Sequence, residues 1–350
     1  MRLRNVFSYQ FRFCLLLFFS WLSACGCGGN YVSKAAGPEE KDETLDLYVE
    51  DYFVSSYDGS SQPLRYALPE AAGEEPRPAL IFLHSWSSNY RLHKRSWLRA
   101  AQKRGWVFVE PDFRGPNNKP AACGSLAART DILDSVEYAI RELGADPERI
   151  YLAGASGGGH MAALMAGRHP QRFTAVSTWV GISDLRQWYQ DHTIDGKPER
   201  YAEMIALCCG GPPGASEEVD AEYVERSPIE WITGSDPLPL DIAAGVHDGQ
   251  TGSVPFQHSI RLFNKMAEMS GEPLVTEAEM RQLWDDSELA DPQPQDTQID
   301  RSYGRDIKLR RTAGAARITI FEGGHEGLAE GACQWLSQFR RPTQPDVAGR

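Results

Sequence analysis

Arg149-Ile150-Tyr151-Leu152-Ala153-Gly154-Ala155-Ser156-Gly157-Gly158 is the stretch on which the reading of the whole chain turns. Arg149 to Ala153 reads as a strand, and Gly157 to Arg168, rich in Ala and Met, as a helix. Ser156 is thereby set on a tight strand-to-helix turn, with glycine where flanking side chains would crowd. A Gly-x-Ser-x-Gly match is weak evidence alone; its place between a strand and a helix gives it weight. At the start of that helix, the backbone N–H of Gly157 is aimed where negative charge on a substrate oxygen would develop.

Outward from this turn the alternation repeats in both directions. Upstream, Leu45 to Ser55 and Pro63 to Leu68 flank Tyr57-Asp58-Gly59-Ser60-Ser61 and suit an antiparallel pair. Ala79 to His84 and Trp106 to Glu110 read as strands, Leu92 to Lys103 and Thr130 to Leu143 as helices, the latter stopping at Gly144. Downstream, Ala175 to Val180, Leu240 to Val246 and Ala316 to Phe321 are strands, with helices near Phe256 to Met269 and Leu328 to Phe339. Such alternation predicts an α/β fold, a mostly parallel sheet of about eight strands flanked by helices. Two segments break it. Residues 184–239 carry Pro198, Pro212, Pro213, Pro228 and Pro237 and are expected to pack as a cap over the sheet edge; residues 270–306 are acidic and read as an insertion, partly helical or loosely ordered.

A serine hydroxyl needs a base, and the base an acid that holds its tautomer. Gly323-Gly324-His325 follows the last strand, and His247-Asp248-Gly249 follows the one before it. Asp184 is a rival acid, and His160, four residues after Ser156, a rival base; His247 reads as a polar neighbour of Asp248. Leu83-His84-Ser85-Trp86 follows the strand Ala79 to His84, where a second oxyanion donor belongs, and the Trp86 backbone N–H is the candidate; His84 reads as a hydrogen-bonded structural residue.

With Gly181-Ile182-Ser183-Asp184-Leu185, these motifs resemble the catalytic domain of the prolyl oligopeptidase family and related single-domain esterases, over about Pro78 to Trp335. The resemblance implies an α/β-hydrolase fold with Ser156, Asp248 and His325 as triad, in the order Ser, acid, His. Three departures stand out. Only about fifty residues precede the hydrolase core, too few for the family's propeller; residues 270–306 lengthen the acid-to-histidine stretch; and Ser85 replaces the glycine of the His-Gly oxyanion motif.

The N-terminus reads as a targeting segment, residues 1–24. Arg2, Arg4 and Arg12 precede the apolar run Cys14 to Leu22, too short for a comfortable bilayer span. Leu22-Ser23-Ala24-Cys25 resembles a bacterial lipobox, which implies lipidation of Cys25, and Gly26 in place of Asp favours the outer membrane or cell surface. Residues 25–44 read as a tether, 45–340 as one hydrolase domain and 341–350 as a tail. Export to an oxidising compartment makes a disulfide between Cys123 and Cys208 or Cys209 an expectation.

Composition narrows the function classes. The 350 residues are 41% hydrophobic and 24% charged, as in folded proteins, with a formal net charge of −12 that becomes −15 without the three arginines of the leader. Nucleic acid is not an expected partner, because the one dense basic run, Arg91 to Arg104, reads as a solvated helix face. No His/Cys cluster has metal-ligand spacing, and the expected chemistry needs no cofactor. Like-charge repulsion, acting over about 8 Å at physiological salt, favours a neutral ester or peptide substrate. Trp179, Trp188, Tyr189, Tyr223 and Trp231 are candidates for an aromatic wall near the site. An extracytoplasmic esterase is the leading expectation, a prolyl oligopeptidase-type peptidase the second, and an inactive surface binding protein on the same fold a third.

Overall fold

The computed structural model describes residues 47–70, 75–92, 94–232 and 238–342. The leader, Cys25, the tether, Pro237 and all but the first two residues of the tail lie outside the described residues.

The sheet has nine strands: β1 (Val49–Val54), β2 (Ser61–Ala67), β3 (Arg77–Leu83), β4 (Val107–Pro111), β5 (Ala145–Ala155), β6 (Ala175–Trp179), β9 (Leu240–Gly245), β10 (Ile307–Ala313) and β11 (Ala316–Phe321). Two further short strands, β7 (Thr193–Ile194) and β8 (Lys197–Pro198), form a separate ribbon. In space the order is β1-β2-β4-β3-β5-β6-β9-β11-β10. The strands from β4 through β11 are parallel, while β1, β2 and β10 join antiparallel at the two ends. The central strands are buried without alternation, Ala79 to Leu83 throughout, as expected where helices cover both faces.

Among the flanking helices, α1 (Arg95–Gln102) lies against α9 (Ala329–Leu336), and α2 (Leu126–Glu142) packs on β4 and β5. The Ser125 hydroxyl caps α2 by accepting the Ala128 N–H at 3.1 Å, so the helix starts earlier than its apolar periodicity alone suggests. Helix α3 (Gly157–Arg168) follows β5 directly, and α7 (Gln257–Ser270) lies against β9, β10 and β11.

Strand β10 does not stand out in the sequence because its middle is Arg310-Arg311. The acidic insertion explains how both arginines are buried. Asp300 pairs with Arg310 at 3.0 Å, Glu279 with Arg311 at 3.1 Å, and Asp296 both pairs with Arg311 and accepts the Arg310 N–H at 2.8 Å. The insertion is therefore an ordered cover for β10, built from α8 (Glu277–Asp286), with its Thr276–Glu279 capping box, and a short 3₁₀ turn, Pro294–Thr297.

The cap differs from its expected place. It consists of α4 (Leu185–Asp191), the β7–β8 ribbon, α5 (Arg200–Cys209) and α6 (Glu217–Arg226). Rather than covering the sheet edge, it packs on loops that follow the central strands. Trp86, Cys123, Ile182, Leu185, Trp188 and Ile205 share one apolar cluster. Arg226 fixes the docking by donating to the carbonyls of Ala122 (2.7 Å) and Cys123 (3.1 Å).

Candidate active site

The chain turns from β5 into α3 through Ser156, whose φ of 61° and ψ of −123° lie where L-residues are rarely found. The turn is fastened by the Ser156 N–H, which donates to the Trp179 carbonyl of β6 at 2.9 Å. Its close approach to the loop after β3 explains one glycine: a methyl group on Gly157 would lie 2.3 Å from the Trp86 backbone nitrogen. The Trp86 and Gly157 N–H groups are thus neighbours, and Gly157, first in its helix, has no intrahelical acceptor for its own.

The Ser156 hydroxyl donates to His325 Nε2 at 2.8 Å, and His325 Nδ1–H donates to Asp248 Oδ2 at 2.8 Å. Asp248 is fully buried, and its other oxygen accepts the N–H groups of Gly249 (3.0 Å) and Val254 (3.3 Å), which hold the carboxylate in place. The acid and histidine loops are sewn together. His247 N–H donates to the Gly323 carbonyl at 3.0 Å, and its ring meets Glu322 at 2.7 Å. The structure thus brings together Trp86, the adjacent Ser156 and Gly157, Asp248 and His325, from four stretches that lie far apart in sequence.

The rivals are engaged elsewhere. Asp184 caps α4, accepting the N–H groups of Arg186 at 2.8 Å and Gln187 at 3.3 Å. The buried His160 bonds the Arg226 carbonyl at 2.8 Å, and burial pushes its pKa down to about 4. His84 stacks on Phe113 at 3.9 Å with its Nε2 2.7 Å from the Asp112 carbonyl. Its burial also lowers its pKa. Three of the five aromatic candidates, Trp179, Trp188 and Tyr223, are consumed by packing. Trp179 is buried among Trp97, Tyr303 and Phe321, Trp188 is buried edge-on to Trp86 at 4.7 Å, and Trp231 carries the Arg168 guanidinium at 3.6 Å. Tyr223 is buried too, with Tyr189 against it.

Cys123, Cys208 and Cys209 are free thiols here, collected in the cap cluster but not joined. The Cys123 thiol lowers the pKa of Cys208, while burial raises that of Cys123. Two supporting residues went unnoticed in the sequence. Asn117 donates its N–H to the Trp86 carbonyl at 2.9 Å and accepts the Cys123 N–H at 2.7 Å, bracing the loop after β3. The Ser253 hydroxyl lies 3.5 Å from His325 Nε2. Neither sits in a recognisable motif, and only its place in a turn-rich segment near Trp86 or Asp248 hints at a role.

The sequence model of the prolyl oligopeptidase family (Peptidase_S9) matches residues 90–282, more than half of the chain and inclusive of Ser156 and Asp248. The chain belongs to the prolyl oligopeptidase family. Its relatives include esterases. Feruloyl esterase B of Neurospora crassa is 26% identical over 172 residues, 44% of this chain and 50% of that protein. Acetylxylan esterase of Coprinopsis cinerea is 36% identical over 54 residues, 15% of this chain and 14% of its own. The chain therefore spans half or less of the curated relatives it matches. Among solved structures, the acylaminoacyl peptidase of Pyrococcus horikoshii superposes with a TM-score of 0.57 at 18% identity, over 87% of this chain and 44% of that one. S-formylglutathione hydrolase of Staphylococcus aureus gives 0.54 at 13% identity, over 83% and 98%. These likenesses give the prolyl oligopeptidase family member an α/β-hydrolase fold, in agreement with the fold its motifs imply.

Proposed function

We propose that the protein is a serine hydrolase that cleaves carboxylic esters through an acyl-enzyme on Ser156. The observation that carries this reading is the unbroken hydrogen-bonded series Asp248–His325–Ser156, 2.8 Å at each link, ending on a strained turn. His325 Nε2 takes the Ser156 proton as Oγ attacks the carbonyl carbon, and Asp248 steadies the imidazolium that results. The N–H groups of Gly157 and Trp86 receive the oxyanion. The imidazolium then protonates the leaving oxygen, the C–O bond breaks, and water repeats the sequence on the acyl-enzyme.

Esters are favoured over peptides because the curated relatives are esterases and an alkoxide leaves more readily than an amine. Membership of the prolyl oligopeptidase family supports peptide cleavage as the second reading. The test is reaction with a fluorophosphonate probe, followed by assay on short acyl esters and on a proline-containing peptide. Ser156→Ala is expected to abolish labelling and both activities. Peptide cleavage without esterase activity would reverse the ordering, an unlabelled wild type would favour a binding protein, and a fully active Ser156→Ala would overturn the mechanism.

The same reading places the enzyme in the bacterial cell envelope, held by a lipid on Cys25 and facing neutral substrates, on the strength of Leu22-Ser23-Ala24-Cys25. Cys25→Ala is expected to release it from membranes or block its processing; an unchanged membrane fraction and mobility would refute the anchor.

A further inference from the structure

Ser253 lies between two residues that serve Asp248. The Val254 N–H is bonded to Asp248 Oδ1 at 3.3 Å, and Gly252 is so close that a methyl group there would lie 2.1 Å from the same oxygen. From the cap, two donors converge on the Ser253 carbonyl: Trp188 Nε1–H at 2.9 Å and His192 Nε2–H at 2.8 Å. Trp188 stands on α4 and His192 at its C-cap, four residues apart, and both are braced by Tyr201, whose ring centroid is 5.1 Å from Trp188 and 5.0 Å from His192. With its backbone held on both sides, Ser253 turns its half-buried hydroxyl to within 3.5 Å of His325 Nε2, the nitrogen that also receives the Ser156 hydroxyl.

A second hydroxyl at that nitrogen is unused by the reaction as written above. Nε2 gives its proton to the leaving oxygen and later takes one from water, so both oxygens must come beside it on the side away from the Ser156 Oγ–carbonyl bond. We propose that Ser253 is a leaving-group residue, whose hydroxyl donates a hydrogen bond to the alkoxy oxygen during acylation and to the attacking water during deacylation. This rests on the reading of Ser156 and His325 given above. In the acylation step the scissile C–O bond breaks, its electron pair goes to the leaving oxygen, and that oxygen takes the Nε2 proton. Ser253 keeps its own proton and only steadies the charge growing on that oxygen. Its carbonyl clamp makes α4 of the cap the element that sets where the hydroxyl points.

Two acetate esters separate this role from a structural one. p-Nitrophenolate departs without needing a proton, whereas benzyl alkoxide must be protonated as it leaves. In full-length Ser253→Ala, kcat/KM for benzyl acetate is expected to fall about fivefold to tenfold further than for p-nitrophenyl acetate, the factor lost with one hydrogen bond. Ser253→Thr, which keeps a hydroxyl, is expected to restore the wild-type ratio. Because the comparison is a ratio within one preparation, partial loss of folded enzyme cancels. An equal fall on both esters, or no fall, overturns the role of Ser253. Failure of the wild type to react with a fluorophosphonate overturns the Ser156 reading, and this one with it.

Discussion

Gly252 is the position at which the smallest covalent change should do the most catalytic damage. A methyl group there would lie 2.1 Å from Asp248 Oδ1 and 2.6 Å from His325 Cβ, while ordinary contact begins at 3.4 Å. One of the partners, or the loop itself, must yield by more than 1 Å. Asp248 cannot turn aside cheaply, since it is fully buried and bonded to Gly249, Val254 and His325. Displacing a positioned group by about 1 Å costs on the order of 100-fold in rate. Gly252→Ala is therefore expected to lower kcat on a short acyl ester by about 100-fold with KM little changed, because the loss falls on proton transfer rather than on binding. Gly324→Ala is the contrast. It is next to His325, but its methyl group would meet only Thr251 Oγ1, at 3.5 Å, so it is expected to stay within about threefold of wild type. Thermal unfolding of both variants separates misplacement from unfolding. A folded Gly252→Ala with kcat within about threefold of wild type would refute the packing argument.

Other outcomes test separate parts of the structure. His160 has its pKa held near 4 by burial, against an ordinary 6.5, so the folded state resists a proton that the unfolded chain accepts. The stability this provides is complete above pH 6.5 and lost as pH falls towards 4, in all about 3 kcal/mol. His160→Gln should lose less stability than wild type between pH 7 and 4.5 in urea titrations, and equal losses would refute the assignment. In an oxidising compartment Cys123 is expected to join Cys208, the thiol that acts on it most strongly, rather than Cys209. Closing that loop contributes roughly 4.5 kcal/mol by restricting the unfolded chain. Peptide mapping without reduction reads the bond directly, and a free Cys123 in freshly exported protein would refute it.

What the sequence could reveal followed from how local each signal is. Ser156 announces itself through its own neighbours, because a strand, a glycine-bounded turn and a helix are contiguous. His325 and Asp248 are legible through the strands they follow, since a mainly apolar run such as Leu240 to Val246, with only Asp241 charged, marks a buried parallel strand and hence its C-terminal loop. Strand β10 was hidden because Arg310 and Arg311 look exposed until their acidic partners, up to 32 residues away, are known. The aromatic residues failed in the opposite sense. Trp179 and Trp188 look like ligand contacts on composition alone, but large rings are also what a core consumes, and both are fully buried. Ser253 and Asn117 are held by backbone groups, one hydroxyl and one side-chain amide oxygen, single contacts that leave almost no signal in the sequence.

The cap leaves the sheet after β6 and returns at the start of β9, and those two strands are direct parallel neighbours, Val176 facing Leu240 and Trp179 facing Ala243. Parallel neighbours cannot be joined by a tight turn; the chain has to travel back along the full length of the strand. Residues 184–239 make that return journey. The cap is thus the connector that lets β9 take its place in the sheet, and β9 in turn carries the loop of Asp248. Removing the whole of this segment would also unfasten the half of the sheet that delivers the acid and the histidine. Any change to the cap must therefore keep a path of about a dozen residues back along the strand, whereas the cover over β10, which joins no parallel neighbours, carries no such requirement.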